Sequence, residues 1–191
     1  MPIRYEISTS GTVSPAITMV QMASSVISEG ADGCQAARGK LFSANNGYAG
    51  ISVSTTVLPL ISIRLQSGYI RSKVLFKSFD VNLTSAGALY VFELWLNPTL
   101  TCSSFANVNS FSFCQVDTAA TAITTTSAVR IGTFYSGYGN SIGRFTIEDD
   151  DIIPFGATIA GVSDILTLTG RFVGALLSNT IVASITWKER R

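Results

Sequence analysis

From about Ala36 onward, apolar residues in this chain recur at every second position. A period of two places successive side chains on opposite faces of an extended backbone, whereas a helix needs a repeat near 3.6. Ile51, Val53, Thr55 and Val57 alternate with serine and threonine, and Ile61, Ile63 and Leu65 alternate with Ser62 and Arg64. Pro59 between them marks a break or an edge strand. Phe79, Val81 and Leu83 alternate with Asp80, Asn82 and Thr84, and the turn formers Ser85-Ala86-Gly87 lead into a strand over 88–96, which reads as a hairpin. Residues 122–134 are rich in threonine and β-branched residues, Gly137-Tyr138-Gly139-Asn140 reads as a turn, and 143–147 return. Leu166 and Leu168, then Ile181, Ala183, Ile185 and Trp187, carry the pattern to the end, with Gly174 and Ser178-Asn179 punctuating between them.

Eight or so short strands separated by turn signals predict an all-β fold, an antiparallel β-sandwich or jelly roll, over residues 36–191. The segment ALYVFELWL is apolar on both faces, as a strand central to a sandwich or covered by a partner would be. Glu93 in its middle needs a partner or exposure, because an isolated buried carboxylate is costly. Residues 1–35 differ. Within them, 14–27 reads either as a short helix, with Pro15 at its first position and Ile17, Val20 and Ile27 on one face, or as an extended N-terminal arm. In both cases it is a candidate for contact with a neighbouring subunit.

Only 13% of the residues are charged, against about 25% in a typical soluble domain. A surface covered by Ser, Thr, Asn and Gly resists association poorly, which points to an assembled state. The net charge of +1 offers no basic face for nucleic acid. No apolar run approaches the roughly 18 residues of a membrane span, and MPIRYEISTS lacks the apolar stretch of a signal peptide. Synthesis in a reducing cytoplasm is expected. Cys34, Cys102 and Cys114 are odd in number and lack CxxC spacing, so buried reduced thiols are expected, with a Cys102–Cys114 bridge as the alternative.

The chain has no histidine, the commonest general base and a frequent metal ligand. A Ser-His-Asp arrangement cannot form, none of Lys40, Lys73, Lys77 and Lys188 stands in an SxxK setting, and GYGNSIGR lacks the phosphate-loop pattern. Glu148-Asp149-Asp150-Asp151 reads as a solvated, self-repelling turn rather than a cation site. No spacing singles out a catalytic carboxylate pair. The expectation is a non-enzymatic protein with no catalytic residues, no metal and no cofactor. The candidate contact residues are Ile17, Val20 and Ile27 in the arm, Tyr90, Phe92 and Trp95 on the two-faced strand, and Tyr135 and Tyr138 beside loop glycines. Tyr48, Tyr135 and Tyr138 would also suit a carbohydrate-stacking surface.

Four stretches in order, FDVNLTSAGALYVFELWLNPTLT (79–101), SFANVNSFSFCQVDTAATAIT (104–124), SDILTL (163–168) and VASITWKE (182–189), resemble a β-sandwich module of tailed-bacteriophage virion proteins. The similarity covers about the last 130 residues. It implies a structural role without catalytic residues: a capsid decoration or minor capsid protein bound to major capsid protein, or else a tail, collar or baseplate subunit bound to tail proteins. It also implies location in the virion and a homo-oligomer, for which a trimer is one expectation.

Overall fold

The computed structural model describes residues 39–83, 89–136, 142–146, 154–158, 160–174 and 179–190, all within the compact unit that begins at Ala37. The arm region, Cys34, Tyr138 and the 148–151 acidic run lie outside the described residues. Fourteen strands are described: β1 (Lys40–Asn45), β2 (Ile51–Val53), β3 (Leu58–Leu65), β4 (Lys73–Leu83), β5 (Leu89–Leu96), β6 (Thr99–Thr101), β7 (Ala106–Asn107), β8 (Cys114–Asp117), β9 (Ala122–Thr124), β10 (Val129–Ser136), β11 (Ile142–Thr146), β12 (Pro154–Phe155), β13 (Ile165–Val173) and β14 (Asn179–Arg190). The described residues contain no α-helix, only one 3₁₀ turn at Ser67–Tyr69. The fold is all-β, with antiparallel pairing throughout, as the period-two pattern predicts.

Two six-stranded sheets face one another. The first runs β1-β14-β4-β11, with β2 extending the β1 edge along β14 and β12 extending the β11 edge along β4; the second runs β10-β5-β13-β3-β8-β7. A small β6–β9 ladder stands apart from both. The inward faces merge into a single core: Phe76, Phe79, Val81, Ile181, Ile185 and Trp187 from the first sheet meet Ile61, Ile63, Phe92, Leu94, Leu166 and Phe172 from the second. At about 1.5–3 kcal/mol for each fully buried large apolar side chain, this core outweighs any single polar contact in the fold.

The hairpin expected across Ser85-Ala86-Gly87 does not form. β4 pairs with β14 and β11, while β5 pairs with β10 and β13, so the chain crosses from one sheet to the other. The same happens between β10 and β11 and between β13 and β14. Turn residues announce a reversal without choosing the partner. β5 is apolar on both faces and therefore takes an interior place in the second sheet. Pro59 sits in β3 opposite Thr169, at a one-residue register shift and beyond the Ser62–Leu65 stretch that β8 pairs, so the strand is open on that side there and the missing N–H is tolerated.

One lateral edge of the sandwich is closed by reciprocal fitting of rings over glycines. Phe134 of β10 stacks near Phe92 and meets Phe79 edge-on, and it leaves no room for a side chain at Gly143 of β11, where a Cβ would come 2.3 Å from its ring. Across the same seam Phe145 of β11 faces Gly132 of β10 and stacks on Phe79 at 5.2 Å.

Candidate functional site: the outer face of the second sheet

Register assigns each side chain of the second sheet to a face. On β5, Tyr90, Phe92 and Leu94 point into the core, so Val91, Glu93 and Trp95 face outward. By the same alternation the outward residues are Arg130, Thr133 and Tyr135 on β10, Thr167, Thr169 and Arg171 on β13, Ser62 and Arg64 on β3, and Gln115 and Asp117 on β8. A row of direct strand partners crosses this face: Arg130, Trp95, Thr167, Ser62, Asp117.

The face is polar and yet largely buried. Thr167 Oγ1 donates to Ser62 Oγ at 2.9 Å, and Thr169 Oγ1 donates to the Glu93 carbonyl at 3.1 Å. Glu93 is 7% exposed and is paired, as its position on a two-faced strand requires: Arg130 Nη1 on the adjacent strand donates to its Oε1 at 2.8 Å. The same guanidinium lies 5.7 Å from the centre of the Trp95 ring, a charge held between a carboxylate and an aromatic face. Asp117 Oδ1 accepts from the backbone N–H groups of Ser104 and Ala119, fixing the chain on either side of β8. Asp117 Oδ2, Trp95 Nε1 and Arg171 Nε are buried with no hydrogen-bond partner. The outer face of the first sheet is different in kind: Ser78, Asp80, Asn82, Ser184 and Thr186 leave it half-exposed, with Asp80 paired to Arg144 of β11.

Exposed apolar area gathers at the β10 edge of the second sheet. Tyr135 is 62% exposed, with the Arg130 guanidinium and the half-buried Trp95 on the same face; Val129, opposite Leu96 and therefore on the other face of β10, is 61% exposed. Tyr135 stands opposite Val91, four residues along β5 from Trp95, a span of about 13 Å at strand rise. The strip is therefore aromatic at both ends and charged in the middle.

Of the contact residues expected from sequence, the structure brings Trp95 and Tyr135 onto this one face. Tyr90 and Phe92 are taken up by the chain's own core, because alternation turns them inward; they are corrected from contact residues to packing residues. Ile17, Val20, Ile27 and Tyr138 lie outside the described residues. Tyr48 is almost fully exposed, but it stands in the β1–β2 turn of the first sheet, so it shares no face with Tyr135. Sequence reading missed Arg130. The pairing of Arg130 with Glu93 is set by strand register across 37 residues of chain, and no local signal carries it.

The described cysteines do not form a bridge. Cys102 is exposed, which corrects the expectation of burial for that thiol, and Cys114 is buried. Burial, and then the neighbouring Glu189 carboxylate, push the Cys114 thiol far above its ordinary range, so it stays protonated and unreactive. No helix among the described residues is long and apolar enough to cross a membrane. No family model matches this chain, and no curated protein matches it.

Proposed function

We propose that this protein is a non-enzymatic virion structural protein that adheres to a viral protein shell as a capsid decoration or minor capsid protein, acting in multiple copies. The observation that carries this reading is the strip on β10 and β5, where exposed Tyr135 and half-buried Trp95 stand on one face on either side of the Arg130–Glu93 pair. Tyr, Trp and Arg are the residues over-represented at energetically decisive interface positions. The buried carboxylates Glu93, Asp117 and Glu189 are each engaged by donors that position strands and loops, so they read as structural acids.

The sequence resemblance supports the same reading through the fold. Its separate phrases meet in space: Asn97 of NPTL exchanges hydrogen bonds with Asp164 and Ile165 of SDILTL, and Glu189 of WKE accepts from Ser112 and Phe113 of SFSF. They are fastenings of one sandwich. A stable contact needs about 800 Å² buried per partner, more than the strip alone offers, which favours repeated copies and additional contacts elsewhere.

The test is co-sedimentation of the purified chain with empty heads and with isolated tails of the phage that encodes it, beside light scattering of the free chain. Saturable binding to heads that is lost in Tyr135→Glu supports the decoration role. Binding to tails alone moves the protein to a collar, tail or baseplate position. A monomer that sediments with neither overturns the proposal, and glycan-dependent binding to cells in that case assigns the face to receptor recognition.

A further inference from the structure

On the far half of the same outer face, Arg64 of β3 is held in a way that the other described arginines are not. Its Nε donates to Gln115 Oε1 on β8 at 2.9 Å, and Gln115 is itself fixed because its Nε2 donates to Asn107 Oδ1 on β7 at 3.0 Å. The guanidinium carbon sits 4.1 Å from the centre of the Phe105 ring, so one flat face of the group is covered. Arg130 and Arg144 each meet a carboxylate, Glu93 and Asp80 respectively. Among the described residues, none pairs with Arg64.

The group lines an open cleft of about 380 Å³. Ile70, Val162 and Ile165 supply apolar walls, and Gln115 and Ser163 supply polar ones. The wall opposite the sheet is braced. Gly161 N donates to Thr158 O at 2.9 Å and Thr158 N to Val162 O at 2.8 Å, and Gly161, in the left-handed region, packs close to Ile70. Leu65 N donates to Ser163 Oγ, tying this wall back to β3. The cleft is thus preformed.

With Nε occupied and one face stacked, the donors left to Arg64 are those of its two terminal nitrogens, a pair whose spacing matches the two oxygens of a carboxylate. From this we infer that the Arg64 cleft is a recognition site for an acidic side chain of another polypeptide, a glutamate or aspartate flanked by apolar residues. A free small carboxylate would meet the charge and leave the walls of Ile70, Val162 and Ile165 in water. Neighbouring residues on a polypeptide can cover them. This site is separate from the β10 strip, and it does not require the partner to be a viral shell.

The full chain, labelled with ¹⁵N, is titrated with the peptide Ac-Leu-Glu-Leu-NH₂, with Ac-Leu-Gln-Leu-NH₂ and with sodium acetate, following the Arg64 Nε–Hε signal and the backbone amides of Gln115, Val162 and Ser163. The expected result is a saturable shift at these positions with the glutamate peptide, and binding at least about tenfold weaker for the glutamine peptide, as loss of a charge-assisted pair demands. Arg64→Gln lowers affinity for the glutamate peptide by a similar factor. If that variant also lowers Tm, Val162→Glu at the exposed rim reads the same property by placing a like charge at the mouth, and it must weaken the glutamate peptide alone. No saturable shift in the cleft, or equal binding of the two peptides, overturns the inference. Acetate binding as tightly as the glutamate peptide overturns the polypeptide as its source.

Discussion

The indole Nε1 of Trp187 donates a hydrogen bond of 2.8 Å to Oε1 of Glu189, two residues further along the inward face of β14. Both side chains are buried. The carboxylate accepts two more bonds, from Ser112 Oγ at 2.6 Å and from the Phe113 N–H at 2.8 Å, and Ser112 Oγ accepts in turn from the Cys114 N–H. Phe113 then stacks on Tyr69 at 4.6 Å. A charged group thus fastens the last strand of one sheet to the segment entering β8 of the other.

Glu189→Ala leaves three buried donors without an acceptor. The expected cost is about 2–5 kcal/mol, since each buried neutral donor left without an acceptor costs about 1–3 kcal/mol and the site relaxes in part. Glu189→Gln keeps one acceptor oxygen and should cost about 1–3 kcal/mol. Urea denaturation of the two variants checks the order; equal stabilities would remove the carboxylate from its fastening role.

Cys102 and Cys114 should differ sharply toward iodoacetamide. In the folded protein mass spectrometry finds Cys102 alkylated, while Cys114 reacts only after unfolding, because its thiol is buried and protonated. The same burial carries a pH dependence. The unfolded thiol ionises near its ordinary value of 9.0 while the folded one does not. The folded state then holds the extra proton, and stability present below pH 9 is lost above it at up to about 1.4 kcal/mol per pH unit. The stability difference between wild type and Cys114→Ala is therefore constant below pH 9 and shrinks as the pH rises further.

Removing Arg130 strands a buried carboxylate, whereas removing both partners does not. Arg130→Ala should cost about 1–3 kcal/mol, reduced from the fully buried case because the arginine side chain is 54% exposed. The double variant Arg130→Ala with Glu93→Leu recovers part of that loss. A double-mutant cycle by thermal denaturation measures the coupling, and strict additivity would show that the pair contributes nothing.

Gly143→Ala places a methyl group 2.3 Å from the Phe134 ring. Overpacking of this kind costs about 1–3 kcal/mol, and Phe134→Leu introduced beside it should restore part of the stability by vacating the space. Gly132→Ala, whose Cβ would stand 3.5 Å from Phe145, should be far milder.

The sandwich is legible in the sequence because alternation is a local property. Ile61, Ile63 and Leu65 follow one another at every second position, as do Phe79, Val81 and Leu83, and that spacing alone turns each trio to one side of its strand. The demand that Glu93 find a partner was legible for the same reason. Much of the surface was not. Tyr90 and Phe92 read as contact residues on a strand apolar on both faces, since sequence does not say which face is inward; the pairing of β5 with β13 and β10 decides it.

Local chemistry therefore determined that this chain makes strands, roughly where they lie, and that apolar stripes must meet in a core. Only the tertiary structure decided that β4 and β5, β10 and β11, and β13 and β14 separate into opposite sheets, that Phe134 fills the space left by Gly143, and that Arg64 stands in a cleft with no carboxylate among its described lining residues. The reason is physical: a side chain's direction depends on its immediate neighbours along the backbone, whereas its partner depends on register between segments tens of residues apart, and that register is settled by how both sheets fill one shared interior.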